Sequence, residues 1–306
     1  MSTQSIDQLA LAISNISHVE QPYMNNLLVI KKLEIAKEPI DIEHREALSK
    51  VVMWETEVLN LDSWTVQWLL AKLTCSVQAE KDRTRKGLEK AKSLVEETEK
   101  KVQVETDKIH EVEVQNEKYA VDHRELQKYR EEISSLLDKA LQQETSKTQE
   151  CKDKIDETKK KAEEQLENVK KLDKVKEYIK NADIALLEAI LELRSSNVKE
   201  SLMGNGKVYF PELAYECLKK AREEYPDLPG FSSPTEYVNE ADNTGAYYSP
   251  MQKYLWDVRK KLAELIIWCD REVISLLEKE TQLQIELGKH TDNYNYERRD
   301  ALKASV

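Results

Sequence analysis

Few residue combinations in this chain have the types and spacing that chemistry requires. Gly204-Asn205-Gly206-Lys207 invites a phosphate-loop reading, but that pattern needs glycine at position 201 and Ser or Thr at 208. Ser201 and Val208 stand there, so the run reads as a turn. Helical bundles hold metal pairs through Glu-x-x-His on inward faces. The nearest patterns are Asp41-x-x-His44 and Asp107-x-x-His110. With 58 acids in 306 residues, about one of the five His would have an acid three positions earlier by chance. Two is no excess, and no metal is expected.

No HExxH, no GxSxG and no Cys with an evident His base occurs. His18, His44, His110, His123 and His290 lie in polar sequence and read as surface histidines. Cys75, Cys151, Cys217 and Cys269 are widely spaced, with no CxxC pair, as isolated reduced thiols would be. The expectation is a non-enzymatic protein with no catalytic residues, no cofactor and no metal.

What must position any site is helix. From about Ala79 to Asn197 the chain has one Gly, Gly87, and no Pro. Leu88, Val95, Val102 and Ile109 recur seven apart, with Ala91 in the companion position. That position is then taken by Val112, Tyr119, Leu126, Ile133 and Ala140, and a second register opens at Cys151, Ile155, Ala162, Val169 and Leu172. Apolar positions sustained over so many heptads, with charge between them, predict a coiled coil. Unbroken, the stretch would reach roughly 170 Å at helical rise.

A single amphipathic helix cannot bury its own seam, so the seam needs a partner. The heptads lose phase at Gln142 to Thr148, where Ser146 or Thr148 suits the cap of a returning helix. The favoured arrangement is an antiparallel hairpin with its tip near residues 142–148; the lack of Gly or Pro there keeps a continuous rod as the alternative.

Apolar and aromatic residues gather on either side. Ile6 to Ile16 reads as a short amphipathic helix closed by Pro22, Leu27 to Ile35 as a second ending before Pro39, and Asp41 caps a third with a break at Asn60 to Asp62. All five Trp fall in Met53–Leu73 and in the late helix around Trp256 and Trp268, which places the main core there. Ile184 to Leu193, apolar on nearly all sides, belongs inside it. A short helix is expected over Glu212 to Glu224. The fold class is therefore all-α: a helical head from residues 1–78 plus 180–306, and a long antiparallel coiled-coil stalk from 79–179.

Charge narrows the partners. The net charge is −11. Between Ala79 and Lys180, 25 Lys and Arg interleave with 26 Asp and Glu. Nucleic acid needs a basic face with few acids beside it, so no nucleic-acid partner is expected. A curved membrane-binding dimer fails on the same ground, since it needs clustered Lys and Arg. No basic segment followed by an apolar core opens the sequence, and no run reaches 18 apolar residues. A cytoplasmic location is expected, with export lacking a classical signal as the alternative.

The function expected first is a structural or interaction protein: a tether, scaffold or assembly subunit. Its stalk and the Tyr-rich loop, with Tyr237, Tyr247 and Tyr248, would meet a protein partner or a second copy. A second reading starts from Ile133, Leu136, Leu137, Ala140 and Leu141, which share one helical face next to the expected tip. A helical head with a hairpin stalk resembles, in outline, the α-helical pore-forming toxins. That resemblance implies a component that stays in water until its tip meets a membrane, here together with a partner protein.

Overall fold

The computed structural model describes residues 3–62, 77–141, 146–192, 211–230 and 250–304, and no β-strand occurs among them. The helices are α1 (Thr3–Ile16), α2 (Glu20–Asp62), α3 (Val77–Ala140), α4 (Ser146–Glu192), α5 (Glu212–Glu224) and α6 (Pro250–Ala304). The protein is all-α. Contacts group it into two compact units, residues 1–142 with 298–306, and residues 143–297. The cut falls at the start of the expected tip, and the grouping differs in its bounds from the expected head and stalk.

In the first unit, a 3-10 turn at Ser17–Val19 joins α1 to α2. The Ser17 hydroxyl and the His18 ring occupy the last carbonyls of α1, at Ser14 and Asn15, which a helix end leaves without partners. Pro22 does not close a helix, as expected, but lies in the first turn of α2, where a missing N–H costs nothing. Nor does a helix end at Pro39. α2 runs through it, giving up the bond to the Ile35 carbonyl at a cost of about 3 kcal/mol. Lys37 pairs with Asp41 across the gap at 3.0 Å, and contact with α3 along the helix outweighs the loss.

α2 and α3 run antiparallel. Glu20 meets Arg130, Tyr23 meets His123, His44 meets Thr98, and Trp54 meets Gly87, so numbers rise on one helix as they fall on the other. Burial on α3 follows the heptads: Leu88, Val95, Val102 and Ile109 are each half-buried, with exposed residues between them. The innermost positions of this stretch are small: Ala47, Thr84, Ala91 and Thr98. Thr98 stays satisfied by donating to the Leu94 carbonyl at 2.9 Å and accepting from His44 Nδ1 at 3.0 Å. Gly87 is where the indole of Trp54 rests on the α3 backbone. A methyl group there would come within 2.7 Å of the ring.

Toward the other end of α3 the seam widens. Ile6 and Ile13 of α1 bury against Leu126, Ile133 and Leu137. Arg298, at the end of α6, bonds Asp138, and Lys303 reaches Asp7 at 2.7 Å.

In the second unit, α4 and α6 are antiparallel. Lys176 contacts Asp270 at 2.5 Å, and Asp183 takes two bonds from Arg259, each 2.7 Å. Thr148, Cys151, Ile155, Thr158, Ala162, Val169 and Leu172 form one buried or half-buried row on α4, spaced three, four or seven apart. α5 covers the end of this row with Ala214, Cys217 and Ala221. Its bounds match the sequence reading. Tyr225, just beyond α5, sets its ring edge-on to Trp268 at 6.1 Å.

The cores are aliphatic. Trp54 and Trp268 are only half-buried, and Trp256 is exposed with Arg259 over its ring at 4.9 Å. Trp64 and Trp68 lie outside the described residues. Ile184, expected inside, is on the surface, while Leu186 and Ile190 are fully enclosed.

Candidate functional site

The four apolar residues singled out near the end of α3 share one environment. Ile133 and Leu137 are 2% and 0% accessible within the cluster built with Ile6 and Ile13. Leu136 and Leu141 pack at its edge, half-buried. The side chains expected to face a partner or membrane are covered by α1. Tyr237, Tyr247 and Tyr248 lie outside the described residues, as does the turn Gly204–Lys207.

Charge converges at one place in the same unit. Arg130 grips Glu20 through both guanidinium ends, at 2.5 and 2.8 Å, and Gln127 adds a longer contact at 3.5 Å. Beside them the rings of Tyr23 and His123 stack, with centroids 4.1 Å apart and planes 20° from parallel. Burial holds the His123 pKa below its usual value, and Arg130 adds to the effect, while Glu20 opposes it. His123 therefore favours its neutral form and is not a plain surface histidine. The cluster joins α2 to α3, and its geometry suits fastening.

Nucleophilic chemistry finds no support at the buried thiols. Cys269 is fully enclosed, and burial pushes its pKa up to about 11. At neutral pH it is a thiol, not a thiolate. Residues of the two Asp-x-x-His patterns make ordinary pairings: Asp41 pairs with Lys37, His44 bonds Thr98, and His110 faces Glu113 at 3.8 Å. Among the described residues no three His, Cys, Asp or Glu converge as a metal site would need. No described helix is long and apolar enough to cross a membrane.

The more informative surface is on α2. Leu48, Val52 and Leu59, four and seven positions apart, are 44%, 63% and 67% accessible, with Met53 alongside at 49%. Ala47, next to Leu48, is fully buried. Ala47 is thus covered while its large apolar neighbour Leu48 faces outward. Sequence reasoning placed Met53 and Leu59 within the main core, because hydrophobicity alone does not tell which side of a helix finds a partner.

No protein-family model, curated protein or solved structure matches this chain. The geometry above is what a functional reading has to rest on.

Proposed function

We infer that the protein is a non-enzymatic, elongated coiled-coil protein that works by contact, as a tether, scaffold or assembly subunit. The observation that carries this reading is the outward row Leu48, Val52 and Leu59 on α2. Heptad-spaced apolar residues on an already paired helix are what a further helix packs against. The helices suit such a role: α3 alone, at 64 residues, spans about 95 Å. Its near-equal numbers of basic and acidic residues suit that length to water.

The row is best matched by a helix of like character, and a second copy of this chain supplies one. Sedimentation of the protein across a concentration series, beside a Val52→Asp, Leu59→Asp variant, tests this. The expected result is reversible self-association in the parent and a monomer in the variant, with equal helicity. A parent that stays monomeric at every concentration, with no partner protected along α2, removes the reading.

The membrane alternative draws on a different observation: the face carrying Ile133 and Leu137 is apolar and is covered mainly by the short α1, with Leu302 of α6 packed beside it. Under this reading α1 would leave before the face met lipid, and the partner protein or the bilayer would trigger it. Leakage from liposomes, with and without a partner, would separate the two readings.

A further inference from the structure

We propose that the cleft between Trp54 of α2 and the first turns of α3 is a binding site for a phosphate-bearing group. The cleft encloses about 490 Å3 and is lined by Trp54, Asp82, Arg83, Lys86, Gly87 and Lys90. Its size falls within the range of ordinary ligand pockets.

Three features of the chain converge there. The first is Gly87. In a helix interior glycine costs about 1 kcal/mol relative to alanine, and α3 carries no other glycine before its end. What the glycine permits is the close seating of the Trp54 indole, because any Cβ would press into the ring. The indole becomes a flat apolar wall held against backbone rather than a mobile surface side chain.

The second is charge. Positions 83, 86 and 90 lie three and four apart and so share one helical face. Some basic residues further along α3 pair with acids a turn away, as Lys101 does with Glu97 and Lys108 with Glu105. In the cleft, Arg83 pairs with Glu80 at 3.1 Å, and the nearby Lys92 with Glu55 at 3.4 Å. Lys86 and Lys90 have no ion pair with a described residue, and both are exposed. Asp82 is the one acid in the lining, and it also accepts from Gln78 at 3.4 Å. Two like charges a turn apart, with no ion pair of their own, repel each other until an anion sits between them.

The third is the pairing of wall and cations. A phosphate presents several oxygens and meets two ammonium groups and a guanidinium at once. Whatever carries it, a glycerol backbone or a nucleoside ring, meets the indole. The same chemistry is supplied by a phospholipid headgroup and by a free phosphate ester, and the cleft is open enough for either. The site is independent of the α2 row proposed for self-association and of the α1-covered face.

The test uses the full chain with two probes: vesicles of phosphatidylcholine with and without phosphatidylserine, and glycerophosphate in solution. The variants are Lys86→Gln with Lys90→Gln, which touches no buried residue, and Gly87→Ala, which displaces the indole but keeps every cation. Lys159→Gln with Lys160→Gln, on α4, is the control. The expected result is binding to at least one probe, weakened about thirtyfold by the paired α3 substitutions, the effect of two cations at an anionic surface. Gly87→Ala should weaken it as well, and the control should not. Cosedimentation with phosphatidylserine vesicles alone assigns a lipid headgroup. Binding of glycerophosphate, read by a change in indole emission that Trp54→Phe abolishes, assigns a soluble ester. The proposal is overturned if neither probe binds, if the Lys86 and Lys90 substitutions leave binding unchanged, or if polyglutamate binds as well as the phosphate probes do. If Gly87→Ala fails to fold, the lysine pair alone decides.

Discussion

Glu20 and Arg130, 110 positions apart in sequence, are joined by two parallel hydrogen bonds of 2.5 and 2.8 Å, and both side chains are nearly inaccessible. The pair fixes where α2 begins against α3, at the point where α1 also meets that helix. Removing one partner leaves the other charge buried without its counter-charge, which costs about 3–5 kcal/mol. Glu20→Ala and Arg130→Met should each lower the unfolding free energy of the first unit, read from urea titration, by that measure. The double change to apolar residues should restore much of it. A double variant no better than the singles would show that the pair does more than neutralise buried charge.

His123 makes stability depend on pH. Its folded pKa lies below the ordinary 6.5, from burial first and Arg130 next, against the pull of Glu20. The unfolded chain therefore takes up a proton more readily than the folded one as pH falls from about 6.5 toward the folded value. Stability is full above that window and declines through it. The groups facing His123 are Tyr23, Glu20, Gln127 and Arg130. Urea titrations at about pH 7.5 and about pH 5.5 should show a loss in the parent that is smaller in His123→Gln. Equal losses would assign the dependence to carboxylates instead.

Leu136 and Leu137 are neighbours with different consequences. Leu137 is fully enclosed, and truncating it to Ala should cost about 2–5 kcal/mol. Leu136, at the edge of the cluster, should cost under half as much. The order matters for any leakage assay, since Leu137→Asp would unfold the end of α3 whether or not a membrane is involved. Leu136→Ser, checked by circular dichroism, is the cleaner probe.

Cys269 should be inert toward iodoacetamide until the second unit unfolds. With its pKa near 11 against an ordinary 9.0, its thiolate fraction is about a hundredfold smaller than that of a free thiol, apart from its burial. Cys151, half-buried on α4, should react before Cys217 and Cys269. Mass spectrometry of peptides from the native protein, sampled over time, reads the order directly.

The helices of this protein were legible in its residues, and much of their pairing was not. Apolar spacing located α3, α4 and α5, and the half-buried rows on α3 keep the heptad phase read from Leu88 onward. Polar residues hid the rest. Thr84, Thr98, Thr148 and Thr158 are buried on the seams, yet each reads as a break in an apolar pattern. A threonine hydroxyl that returns to its own helix, as Thr84 does to Glu80, removes the penalty that would keep it out. That is why phase seemed lost near Thr148. Pro39 misled for the opposite reason, since its local rule is real but small beside the contact made by a 43-residue helix. The Trp54 cleft was invisible because its parts, one Trp, one Gly and two Lys, carry no motif and meet only when α2 lies on α3. His123 looked like a surface residue because its ring is enclosed by Tyr23, a hundred positions away.

The first unit is closed by Lys303 reaching Asp7 and by Arg298 reaching Asp138. On the ribosome, α1 emerges well before its covering residues on α3, which follow more than a hundred positions later, and its last fastenings come later still. For that interval Ile6 and Ile13 are sticky and unattended, so a chaperone that shields short greasy helices is a natural companion of this chain's birth.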